Sequence, residues 1–157
     1  YNLAVAYAFG EGVPQDDAEA VRWYRPAAEA GHVLAQYSLA ISYALGEGVA
    51  QSDAEAAAWY ARAAEAGYAA AQHNLAWMYR AGKGVEQDNA EALRWYRAAA
   101  EQGYAAAQYN LGYMYRSGKG VTRDLAAAER WYTLAAEQGY GDAAAELAAV
   151  QAINARP

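Results

Sequence analysis

A step of 36 residues governs this chain: Trp23, Trp59, Trp95 and Trp131 follow it, as do Gly12, Gly48, Gly84 and Gly120, and Gly31, Gly67, Gly103 and Gly139. The tripeptide Tyr1-Asn2-Leu3 returns as Tyr37-Ser38-Leu39, His73-Asn74-Leu75 and Tyr109-Asn110-Leu111. A period of this length is one helix-turn-helix unit, which cannot bury its apolar faces alone. The copies must stack into an all-α solenoid with a shared core, and 157 residues suffice for one such domain. Function is therefore to be sought on a surface that several units build together.

Ala105 to Gly139 is one complete unit. Its first helix is expected from about Ala105 to Arg116, and at 100° per residue Ala107, Leu111, Met114 and Tyr115 fall on one side, with Tyr109, Tyr113 and Arg116 on the other. The turn Ser117-Gly118-Lys119-Gly120-Val121 matches Phe9-Gly10-Glu11-Gly12-Val13, Leu45-Gly46-Glu47-Gly48-Val49 and Ala81-Gly82-Lys83-Gly84-Val85. Paired glycines suit a helix end that needs left-handed backbone, and the Val is placed to plug the core. The same Gly-x-Gly lacks the further glycine, the Lys-Ser/Thr ending and the preceding strand of a phosphate-binding loop.

The second helix opens on Asp16, Ser52, Asp88 and Asp124, with Glu19, Glu55 and Glu91 three residues on and Ala127 in the last copy. That pattern predicts a capping box in which the Glu reaches back to the cap. Ala92, Trp95, Tyr96 and Ala99 form its burying side, and Arg94, Arg97 and Glu101 its solvated convex side.

One solenoid domain over 1–157 is expected: a truncated repeat at 1–30, full repeats at 31–66, 67–102 and 103–138, and a capping helix at 139–157, where the Asn, the Tyr and the Gly-x-Gly-Val are lost. The chain starts in mid-repeat, which reads as a piece of a longer protein. The truncated first helix presents Leu3 and Tyr7, so end-to-end self-association is expected there.

A net charge of −6 and a pI near 4.9 argue against a nucleic-acid partner, whose phosphates need a large basic face. No run approaches the roughly 20 apolar residues of a membrane span. Zero cysteines rule out disulfides and thiolate metal sites and leave the compartment open. His32 takes the position of Tyr68, Tyr104 and Tyr140, as an inter-repeat packing residue, and neither it nor His73 has partners at metal-ligand spacing. No metal or cofactor is expected.

Ala, Gln, Asn-Leu-Gly, Tyr, Gly-x-Gly-Val, Asp, Ala, Trp-Tyr and Ala-Ala at this period resemble the Sel-one-like repeats, a branch of the tetratricopeptide-like solenoids. The resemblance covers essentially the whole chain; Ala40 and Ala76 stand where Gly112 has the usual glycine, Ser38 for the Asn and Ser52 for the Asp. It implies a right-handed α/α superhelix of about four repeats whose first helices line a concave surface. It also implies an adaptor role, often bacterial, in which the groove holds a peptide or assembles a complex. Some cysteine-rich relatives are discussed as penicillin-binding or β-lactam-hydrolysing proteins, but this chain has no Ser-x-x-Lys and no Ser or Cys nucleophile with an adjacent base.

A groove-lining stripe then follows: Tyr37, Ser38 and Ile41; His73, Asn74, Trp77 and Arg80; and Tyr109, Asn110, Tyr113 and Arg116. These positions vary between copies while the core positions do not. Asn74 and Asn110 would clamp a peptide backbone, Trp77 and Tyr113 would grip apolar side chains, and Arg80 and Arg116 would take a carboxylate. The expected function is a non-enzymatic protein-interaction module, with a rigid spacer or oligomerisation arm as the alternative.

Overall fold

Nearly three-quarters of each full period goes into a pair of 13-residue helices whose ends are set by side-chain caps and glycines. In a computed structural model describing residues 1–155, the first helices are α1 (Asn2–Phe9), α3 (Val33–Leu45), α5 (Ala69–Ala81) and α7 (Ala105–Ser117). The second helices are α2 (Asp17–Glu29), α4 (Asp53–Glu65), α6 (Asn89–Glu101) and α8 (Leu125–Glu137), and α9 (Ala143–Asn154) closes the stack. Each helix packs on the next in sequence, giving an all-α solenoid, and the described residues contain no strand. Arg156 and Pro157, at the end of the predicted capping segment, lie outside the described residues.

Half of the predicted capping box forms. The Asp16, Asp88 and Asp124 carboxylates accept from the amides of Glu19 (3.0 Å), Glu91 (3.1 Å) and Ala127 (2.9 Å), and the Ser52 hydroxyl accepts from Glu55 N (3.3 Å). The return bond from the Glu does not form. The cap residues' own amides donate to Tyr7, Tyr43, Tyr79 and Tyr115 carbonyls near the end of the preceding helix, at 2.9–3.0 Å. With nothing to reach back for, Glu19 and Glu91 pair with Arg22 and Arg94 one turn on. The linker itself has used the orphan donor.

The two glycines of each turn have different duties. Gly82 ends α5 in the left-handed conformation (φ 68°), a backbone that L side chains rarely adopt. Gly84 also has positive φ, and a Cβ there would lie 2.1 Å from the Asp53 carbonyl oxygen of the preceding unit's second helix. Its partners Gly48 and Gly120 meet Asp17 and Asn89 in the same way. The second glycine therefore sets how closely successive units stack.

Leu39, Leu75 and Leu111 are fully buried, with Tyr60 and Tyr96 and a floor of alanines around them. A smaller cluster of Ala128, Tyr132 and Val150 sits between α8 and α9. Small residues allow close helix approach, while Trp59 and Trp95 fill what is left and carry Arg62 and Arg94 over their rings at 4.4 and 4.0 Å. Gln36, Gln72 and Gln108 are buried, and their amides donate to the carbonyls of Ala28, Ala64 and Ala100 (3.1–3.2 Å), tying each first helix to the end of the helix before it.

Candidate functional site

First-helix side chains that point away from the leucine core converge on one face. Of the eleven residues expected there, Trp77 is 40% exposed and the others are half-buried. The half-burial has a cause at the position of Tyr37, His73 and Tyr109. Their rings lie against Tyr60 and Tyr68, Tyr96 and Tyr104, and Tyr132 and Tyr140, with centroids 4.9 to 5.7 Å apart. These rings weld one unit to the next as well as flooring the face.

A polar chain crosses three units on this face. Asn74 Nδ2 donates to the Tyr37 hydroxyl (3.4 Å), His73 Nδ1 donates to Asn74 Oδ1 (3.2 Å), and Asn110 Nδ2 donates to His73 Nε2 (3.1 Å). Asn110 Nδ2 also donates to the Ala106 carbonyl (2.9 Å), and Arg80 donates to Asn110 Oδ1 (3.4 Å). This set of partners assigns the neutral Nδ1–H tautomer to His73. Burial lowers the His73 pKa, with the Asn74 bond opposing and the Arg80 charge adding to the fall. Both amide hydrogens of Asn110 are used within the protein, leaving acceptor capacity on its oxygen for a ligand.

The two arginines differ. Arg116 forms an ion pair with Glu146 of α9, while Arg80 sits 5.7 Å from the centroid of the Tyr113 ring. Lys119 lies over the same ring at 5.4 Å, and Lys83 over Trp77 at 5.5 Å. Lys119, with the nearby arginines, lowers the Tyr113 pKa against a smaller effect of burial.

Two recesses open on the face. One, of about 280 Å³, is lined by Leu45, Tyr60, Asn74, Trp77 and Lys83, among others. The second, of about 330 Å³, lies between α1 and α3 and is lined by Val5, Phe9, Leu34, Tyr37, Ser38, Ile41 and Glu47, among others. Phe9 and Leu45 are 72% and 62% exposed. The sequence pattern did not single out Phe9, Leu45, Lys83 or Lys119 as site residues, because they belong to the Gly-x-Gly turn and carry its helix-ending signal. Their position beside the stripe was readable only as a place in the period. Burial raises the Tyr24 pKa, with neighbouring Ser38 opposing the rise.

Among curated proteins nothing matches this chain. Solved structures do. A protective antigen of uropathogenic Escherichia coli strains with an SLR fold, c5321, is 46% identical over 88% of this chain and 30% of its own, with a TM-score of 0.86. A Sel1 repeat protein from Oxalobacter formigenes is 37% identical over 94% of this chain and 60% of its own, with a TM-score of 0.89. This chain thus spans less than two-thirds of either. Helicobacter pylori cysteine rich protein B shares the fold at 22% identity, over 83% of this chain and 94% of its own, with a TM-score of 0.64. The right-handed α/α solenoid implied by the sequence resemblance is the architecture these structures share with it. Sel1 repeats are helical scaffolds, typically non-catalytic, that generally mediate protein–protein interaction. The Sel1 repeat pattern itself matches residues 1–32, 33–68, 69–104 and 105–140, and with four copies over nearly its full length the chain belongs to the Sel1 repeat family.

Proposed function

We propose that the first-helix face holds an extended segment of another protein. The observation that carries this reading is Trp77, a large aromatic left 40% exposed in a recess beside Asn74 and Leu45, at a position where the other units carry Val5, Ile41 and Tyr113. Exposed apolar surface framed by polar groups is what a partner's side chain covers. In this reading Trp77 and Tyr113 contact apolar side chains, Arg80 takes a carboxylate, and Asn74 and Asn110 offer amide oxygens to backbone N–H groups. Ile41, Tyr37 and Ser38 extend the contact toward α1, and Tyr109, His73 and Arg116 hold the floor.

A phage-displayed peptide library screened against the protein tests it, with Trp77→Ala and Arg80→Ala screened alongside. Peptides enriched by the wild type and lost by the variants are expected. Enrichment indifferent to both changes would overturn the reading and leave a spacer role for the array. Self-association through Leu3, which is 43% exposed, belongs to the same proposal. Light scattering over a dilution series that found monomer throughout would remove it.

A further inference from the structure

Side chains of the groove change character along the stack in register with the period. The residue between the paired glycines is Glu11 and Glu47 in the first two units and Lys83 and Lys119 in the last two. The residue near the end of the first helix is Ala8 and Ala44, then Arg80 and Arg116. Lys83 and Lys119 are the two lysines of a chain carrying a net charge of −6. Both stand over groove aromatics rather than on the convex side, and so does Arg80.

Among the described residues Arg116 pairs with Glu146, and Arg22 and Arg94 pair with glutamates of their own helices, whereas Arg80, Lys83 and Lys119, like the remaining arginines, make no ion pair. Asp53 shares the Trp77 recess with Lys83 without pairing to it. What sets these three apart is their place around Trp77 and Tyr113: the aromatic faces hold them, Arg80 gives one N–H to Asn110, and the remaining donors are open to an anion. At the other end Val5, Phe9, Leu34 and Ile41 form an apolar recess, with Glu47 at its rim.

Resting on the reading of the face as a peptide groove, we infer that the partner is a polarised protein segment: apolar residues seat between α1 and α3, and an acidic cluster seats between α5 and α7. Taking the spacing of packed helices, about 10 Å, as the step from one unit to the next, the two seats, two units apart, lie about 20 Å from each other. An extended chain spans that distance in about six residues. The charge contrast also steers the segment, since its acidic end is repelled by Glu47 and drawn to the lysines.

Fluorescence polarisation tests this with labelled synthetic peptides carrying three glutamates and a Leu-Phe pair separated by six Gly/Ser residues, made in both chain orders. Matched probes replace the glutamates with lysines or with serines. The expected result is that one order of the acidic probe binds at least ten-fold more tightly than the lysine and serine probes, and that added salt weakens it. Lys83→Glu/Lys119→Glu should lower its affinity at least ten-fold. That variant places at two turns the residue already carried by the equivalent turns at Glu11 and Glu47, so the fold accommodates it.

Equal binding of the acidic and lysine probes, or affinity unmoved by the double reversal, would overturn the charge assignment. Serine probes that bind as tightly as acidic ones and are lost in Trp77→Ala would overturn it too, while leaving the groove reading intact. Absence of binding by the acidic probe up to about 1 mM would also overturn it, since charge-matched contacts over six residues should exceed that affinity. In that case phage selection of other peptides decides the groove reading separately.

Discussion

The units on either side of α4 share a backbone and differ in what the groove face does with it. Before α4, small or apolar side chains at Ala8, Phe9, Ala44 and Leu45 leave surface uncovered. After it, Arg80, Asn110, His73 and Asn74 satisfy one another across two units, Arg116 reaches Glu146, and glutamine pairs link Gln102 to Gln72 and Gln138 to Gln108 at 2.8 Å. The repeat sets where a side chain stands; the residue placed there decides whether the position braces the stack or faces a ligand. Stability and binding are thus distributed unequally along one scaffold, and substitutions that move a residue type between equivalent positions test that division.

The largest effect should come from breaking the stacking itself. Gly84→Ala puts a methyl 2.1 Å from the Asp53 carbonyl oxygen and forces positive φ on a residue with a side chain. A loss of about 4 kcal/mol or more in urea denaturation is expected, the range reserved for backbone clash and strain together. Gly12→Ala has the same φ requirement but meets nothing within 4 Å, so it should lose about 1 kcal/mol. Equal losses at the two sites would show that φ alone explains the second glycine and that close stacking does not.

Acid should act on the braced half through His73. Its folded pKa is depressed below the ordinary 6.5, so the unfolded chain binds the proton more readily. The stabilisation is complete above pH 6.5 and is lost as pH falls through the folded value. Protonation would add a hydrogen to Nε2, where Asn110 Nδ2 already donates, and Asn110 cannot turn over without releasing Arg80 and the Ala106 carbonyl. Thermal melts between pH 7 and roughly pH 5 should show a falling midpoint that His73→Tyr, the residue at Tyr37 and Tyr109, flattens. Parallel slopes for the two proteins would place the acid sensitivity elsewhere.

Period, helix pairs, glycine caps and the burying face of the second helix were legible because each rests on residue types that recur at fixed spacing. The eleven-residue stripe was legible as a face, since helical angle alone separates Tyr109 and Tyr113 from Leu111. What side chains do on that face was not. Tyr37, His73 and Tyr109 occupy equivalent positions, yet their role as bridges depends on Tyr60, Tyr96 and Tyr132 of the following helices, which a single-helix projection omits. The capping box failed for a related reason: a linker amide bonded to the previous helix is invisible to a rule about the next one. Lys83 and Lys119 were written in the sequence as a charge reversal between copies, but turn chemistry explained their neighbours and hid them.

The finest tests add to one half what the other already has. Gln36 Oε1 is buried without a partner, while the matching oxygens of Gln72 and Gln108 accept from Gln102 and Gln138; the residue at that position beside Gln36 is Ala66. Ala66→Gln supplies the missing donor at an exposed helix end and should stabilise the protein by about 1 kcal/mol, read as a higher denaturation midpoint at unchanged slope. Ala127→Glu restores the acid found at Glu91 and places it one turn before Arg130, as Glu91 stands before Arg94. Because the return bond of the capping box does not form in any unit, the gain should be that of a surface pair at a helix start, about 0.3 kcal/mol, and should fade with salt. A gain near 1 kcal/mol that persists at high salt would mean that the acid does reach back to its cap in solution, and that the linker amide is shared between the two helices.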